Sequence, residues 1–130
     1  MKTLAILAGL ATLTMLRTPA DAAPAAKDTV VLQRAAVPGT NRQLGLGLSV
    51  FPPNGQKPWH KATGPELLYV LAGSLIVQMD GQPPAVLHAG ESFCIPADAR
   101  HLTTAGPRGA KVLASWVWVP GGVFNIPASK

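Results

Sequence analysis

The sequence predicts an all-β fold. Three observations carry that expectation. Apolar residues alternate with small or polar ones, thirteen prolines and thirteen glycines break the chain into short pieces, and helical periodicity is missing beyond the N-terminal stretch. Period-two alternation marks a half-buried strand, and short strands at regular spacing with turn residues between them point to a sandwich or barrel. No segment repeats another.

The first 22 residues read as a signal peptide. Lys2 gives a positive start, Thr3 to Leu16 is apolar, and Ala20-Asp21-Ala22 supplies an A-x-A cleavage pattern. The apolar run is short for a bilayer, and no later segment approaches about 18 uncharged apolar residues. Cleavage between Ala22 and Ala23 therefore predicts a secreted or periplasmic protein with no stable membrane insertion. The domain reading is 1–22 signal peptide, 23–43 N-terminal linker and edge strand, and 44–130 the β-barrel domain. One core suffices for a chain of this length.

The chain carries a net charge of +5. Its basic residues, Lys57 and Lys111 among them, are scattered rather than clustered, which argues against nucleic acid as a partner and for a surface with a mild positive bias. Cys94 is the single cysteine, so no intramolecular disulfide can form. Flanked by Phe93 and Ile95, it reads as a buried thiol.

Taken in order, Ala23 to Ala26 is a small-residue linker and Thr29 to Gln33 an edge strand. Leu44, Leu46, Leu48 and Val50 share one face of the next strand. The glycines between them, Gly45 and Gly47, suggest a close approach on the other face. Pro52-Pro53-Asn54-Gly55 is a turn. Glu66 to Leu71 and Ser74 to Asp80 read as two strands joined at Ala72-Gly73. Asp80-Gly81 with Pro83-Pro84 makes a hairpin loop longer than two residues. Ala85 to His88 and Ser92 to Ile95 are short strands about the Ala89-Gly90 turn. His101 to Thr104 is another. Lys111 to Val119, apolar on both faces, should be central.

His60, Glu66 and His101 are the chemical signal. Two imidazoles and one carboxylate on neighbouring strands could bind a first-row metal. His88, at a turn, reads as a surface residue, and Asp98 as a turn residue. Trp59 precedes His60 and should point away from it. Leu68 and Val70 share the parity of Glu66 and should line a pocket with apolar walls.

These residues carry a family resemblance. Pro58-Trp59-His60-x-x-x-Gly64-Pro65-Glu66, followed by Tyr69-Val70-Leu71-x-Gly73, resembles the first conserved motif of the cupins. Gly90, Pro96, Asp98 and His101 resemble the second. The likeness spans roughly Leu44 to Val119 and identifies a small single-domain cupin of the type-2 class. It implies a double-stranded jelly-roll β-barrel and a metal set of two histidines one residue apart, a glutamate four residues on, and a third histidine in the second motif. Here Ala62 stands at the second histidine position and Asp98 at a later glycine. The resemblance therefore implies three of four ligands, His60, Glu66 and His101, with Ala62, Leu68 and Val70 lining the pocket. A two-His, one-carboxylate set is typical of non-haem iron oxygenases and would also hold Mn, Zn, Ni or Cu.

The function this implies is an exported cupin that binds a divalent metal and a small organic ligand. Dioxygenase-like cleavage, isomerase and lyase chemistry all fit. The alternative is a metal-free binding module, or a structural cupin with a degenerate site. Cupins commonly pair through the outer face of one sheet, and a sandwich has edges to protect, so a homodimer is expected.

Overall fold

The computed structural model describes residues 22–129. The signal-peptide reading falls largely on residues 1–21, which lie outside the described residues. The eight strands among the described residues are β1 (Val30–Ala36), β2 (Gln43–Phe51), β3 (Gln56–Ala62), β4 (Glu66–Met79), β5 (Ala85–His88), β6 (Ser92–Ile95), β7 (His101–Trp118) and β8 (Asn125–Pro127). All pairings between them are antiparallel.

β7 is the spine, as the apolar run at its C-terminal end predicts. Its first half pairs with β3 on one edge and with Leu75–Met79 of β4 on the other. Its second half pairs with β2 and with Glu66–Gly73 of β4. One layer therefore runs β1-β2-β7-β4-β6 and the other β8-β3-β7-β4-β5. This is the jelly-roll arrangement.

Two readings of strand length need correction. Glu66 to Leu71 and Ser74 to Asp80 are one strand, and so are His101 to Thr104 and Lys111 to Val119. The breaks are bends that carry each strand from one layer to the other. In β4 the register shifts on both sides of the bend, and Gly73 sits at φ 73°. A Cβ there would lie 2.0 Å from the Gly109 carbonyl oxygen, so the chain requires glycine at the crossing.

The interior of β2 is the reverse of the expected one. Gly45, Gly47, Ser49 and Phe51 face inward, and the leucines face out. The reason is Trp116, which is paired with Gly45 across the ladder. Its ring fills the volume that side chains at these glycines would take: a Cβ on Gly45 would lie 2.5 Å from Trp116 Cε2. Cys94 is likewise exposed, because Ile95 takes the inward position of β6 and leaves its neighbour outward.

Val70, Leu75, Val77, Ile95 and Val112 are fully buried and anchor the core. Each contributes about 1.5–3 kcal/mol relative to an exposed side chain. Residues 24–27 are pinned rather than free. Gln56 N donates to Pro24 O at 2.7 Å, Ala26 N to Gln56 O at 2.9 Å, and Lys27 N to Val50 O at 3.1 Å. No helix among the described residues is long and apolar enough to cross a membrane.

Candidate metal centre

The two layers enclose a cavity of about 520 Å³, within the range of small-molecule sites. One wall carries Ser49, Phe51, Leu68, Val112 and Trp116, and the other Lys57, His60, His101 and Thr103. Polar and charged side chains, Lys27, Asp28, Thr29 and Glu66 among them, make up nearly half of its lining, and apolar ones the rest.

His60 and His101 face each other across the β3–β7 ladder. Their ring centroids are 4.1 Å apart. Glu66 enters from the other layer at the start of β4, opposite Trp116. His60, Glu66 and His101 each offer a donor atom within 4.8 Å of the other two. The structure thus brings together the three residues that the spacing singled out.

Each imidazole is oriented by its own strand. His60 Nδ1 lies 2.8 Å from Pro58 O, and His101 Nδ1 lies 2.8 Å from Ala99 O. A carbonyl oxygen can only accept, so each Nδ1 carries the proton and each Nε2 presents its lone pair. This second hydrogen bond is the usual device that fixes the tautomer of a metal-binding histidine.

Burial sets the charge states. It pushes the His60 and His101 pKa values below the ordinary imidazole range, helped by the positive charge of Lys57 and opposed by the backbone carbonyls. Burial also raises the Glu66 carboxyl, against the pull of Lys57. His101 Nε2 and Glu66 Oε2 are 3.5 Å apart, too far for a good hydrogen bond, and each group is held toward its neutral form. The contact is not a stable ion pair. Glu66 Oε2 is buried with no hydrogen-bond partner. A buried carboxyl oxygen with no partner beside two neutral imidazoles is costly as it stands, and a divalent cation would satisfy it. The donor set therefore fits a first-row metal.

The other expected site residues divide. Leu68 borders the cavity. Val70 is fully buried in the core cluster, and Ala62 is fully buried. Neither is among the residues that line the cavity. Ala62, expected to line the pocket, is closed in because the strand bonds on both sides there: Ala62 pairs with Asn125 of β8, and its carbonyl accepts from Asp98 N at 2.7 Å. Asp98 adopts φ 62°, which accounts for the glycine usual at this position in the family. His88 is exposed. Trp59 sits at the cavity rim, with Arg100 Cζ 4.7 Å above its ring. Arg100 also grips Asp80, with Nε 2.5 Å from Oδ2, and steadies the loop that leads into His101.

Sequence reasoning missed Lys57, which is half-buried and lines the cavity. The signal was Pro58. Proline has no N–H for the ladder, and the register shifts between Lys57 and His60. That bulge puts residues 57 and 60, three apart, on the same face.

A profile of the Cupin_2 family, the cupin domain, matches residues 47–120. The chain belongs to the cupin family. Over 81 residues this cupin is 41% identical to dimethylsulfoniopropionate lyase DddW of Ruegeria pomeroyi, a stretch covering 60% of this chain and 53% of that protein. The chain spans about half the length of the curated relative it matches. Among solved structures, the DMSP lyase DddQ of Ruegeria pomeroyi is similar at TM-score 0.58 and 24% identity, over 64% of this chain and 42% of that one. A recombinant oxalate oxidase in complex with glycolate matches at TM-score 0.52 and 27% identity, over 56% and 41%. An RmlC-like cupin of Shewanella frigidimarina matches at TM-score 0.54 and 20% identity, over 72% and 86%.

Proposed function

We propose that this protein is a metal-dependent cupin enzyme in which His60, Glu66 and His101 hold one divalent ion and the adjoining cavity takes a small organic acid. The buried, unpartnered Glu66 Oε2 beside His101 Nε2 carries the reading. When bound, the ion supplies a Lewis acid that polarises a substrate oxygen. The protein's own part is to keep both imidazoles neutral and pointed inward through Pro58 O and Ala99 O. Phe51, Leu68, Val112 and Trp116 exclude water from the substrate's apolar side.

Lyase chemistry is favoured over oxygen-dependent cleavage by the 41% identity to a dimethylsulfoniopropionate lyase. The test is to load the purified protein with Fe, Mn, Zn, Ni or Cu and follow turnover of short organic acids with and without oxygen. Oxygen-independent cleavage with one metal supports the lyase reading. Turnover that needs oxygen replaces it with the dioxygenase reading. A protein that takes up no metal returns the metal-free binding module.

Export and dimerisation belong to the same reading. The leader-like residues 1–22 support a secreted or periplasmic location, tested by the N-terminal residue of the exported protein: Ala23 is expected, and Met1 would contradict it. An outward row of Val30, Leu48, Leu113 and Tyr69 crosses four strands in register, with Val30 62% and Tyr69 44% exposed. Such an apolar row supports a homodimer through that layer. Light scattering should return a dimer, and Leu48→Lys a monomer. A wild-type monomer would remove the proposal.

A further inference from the structure

Next to the histidine pair lies a second cross-strand pair. Lys57 on β3 is opposite Thr103 on β7, two residues along from His101, and both border the cavity. Lys57 Nζ donates to Thr29 Oγ1 at 2.9 Å and to Ser49 Oγ at 3.1 Å. Those two hydroxyls lie 2.7 Å from each other. An ammonium has three donors, and the third finds no acceptor among the described residues. No carboxylate of the described residues lies within salt-bridge distance of it, and Glu66 and Asp28 act on its charge from further away.

Thr103 is 4% exposed, and its Oγ1 is buried without a partner. An ammonium with one N–H to spare and a hydroxyl without a partner, on facing positions of β3 and β7 that both border the cavity, are each unfavourable alone. One ligand anion satisfies both.

We propose that Lys57 and Thr103 form an anion subsite that holds the carboxylate of a small organic acid, with the rest of that acid extending toward His60, Glu66 and His101. One ammonium N–H and one hydroxyl match the two oxygens of a single carboxylate. A dianionic phosphate would bring a second negative charge close to Asp28 and Glu66, which line the same cavity. Thr103 and His101 are two strand positions apart, roughly 6.5–7 Å, which is the scale of a short-chain acid. The placement of the ligand's far end rests on the metal-centre reading above. The anion subsite is read from Lys57 and Thr103 alone.

The test titrates the purified protein, metal-free and zinc-loaded, with propionate and with propionamide, its uncharged analogue of the same shape. Binding is followed by ligand-observed NMR. Propionate should bind at least about tenfold more tightly than propionamide in both forms. Lys57→Met should erase that preference, Thr103→Val should reduce it severalfold, and Thr103→Ser should retain it. A role for Lys57 only in tying Thr29 to Ser49 would alter stability and leave the preference untouched. If Lys57→Met fails to fold, the Thr103 pair of variants decides the question.

Equal binding of the two probes, no propionate binding at millimolar concentration, or a preference that survives Lys57→Met overturns the subsite. A preference seen only with zinc and surviving Lys57→Met places the carboxylate on the ion: the subsite falls and the metal centre stands. A Lys57-dependent preference in a protein that takes up no zinc does the reverse.

Discussion

Two neighbouring rungs of the β3–β7 ladder, His60/His101 and Lys57/Thr103, face the same cavity and differ in what they leave unfinished. The histidine rung is electrically quiet. Burial favours the neutral form of both rings, each is anchored through Nδ1 to a backbone carbonyl, and the unmet demand lies on Glu66. The lysine rung is charged and partly satisfied, with one N–H and one hydroxyl to spare. One rung calls for a cation and the next for an anion. A substrate that bridges a metal and a carboxylate subsite meets both demands, and the two ends are separable by mutation.

The largest expected effect is on the histidine rung. His60→Ala and His101→Ala should each weaken zinc affinity by about a hundredfold or more, roughly 2.7 kcal/mol. Calorimetric titration measures this. Lys57→Met should leave zinc affinity within about threefold, around 0.7 kcal/mol. A comparable loss in Lys57→Met would mean that the rungs are not independent.

Acid should affect the two rungs differently. The His60 and His101 pKa values lie below the ordinary value, so both rings stay neutral and competent to bind at and above pH about 6.5. Metal affinity should be nearly flat there and fall as pH drops through the lowered folded-state values. Glu66, whose pKa is raised, also takes up a proton as pH falls and adds to the loss. The Lys57 pKa is lowered, chiefly by burial and against the pull of Glu66 and Asp28, so its ammonium is lost on the alkaline side. Propionate binding to the metal-free protein should therefore weaken as pH rises. Binding that weakens only in acid would contradict this assignment.

Smaller effects test the packing behind the rungs. Gly45→Ala drives a methyl into the Trp116 ring and should cost about 1–3 kcal/mol by overpacking, read from denaturant unfolding. Ala62→His should cost a similar amount and bring no gain in zinc affinity, because Ala62 is 0% exposed. Tighter zinc binding without lost stability would show that position 62 opens to the site.

The histidine rung was legible in the sequence and the lysine rung was not. His60, Glu66 and His101 are read from residue type and spacing, which survive any local irregularity. Lys57 is read from strand parity, and parity fails at Pro58. In an ideal strand residues 57 and 60 point to opposite sides, and the bulge reverses that. The same limit explains β2, where alternation fixed the period and left the phase open. Leucines look like core and glycines like surface until Trp116 occupies the interior. It also explains the two long strands: Gly73 and Gly109, at φ 73° and 77°, look like chain reversals but bend strands between layers. The all-β class, the central position of Lys111–Val119 and the hairpin at Asp80-Gly81 needed no such phase information. Ala62 was placed by analogy with a four-ligand set, and the contacts that bury it are between segments distant in sequence.

The central claim is that His60, Glu66 and His101 share one metal ion. X-ray absorption spectroscopy of the zinc-loaded protein tests it most directly. One tightly bound ion per chain is expected, with two imidazoles and a carboxylate in its coordination shell, and loss of one imidazole signal in His101→Ala. A zinc shell without imidazole scattering, or one unchanged by His101→Ala, would contradict it.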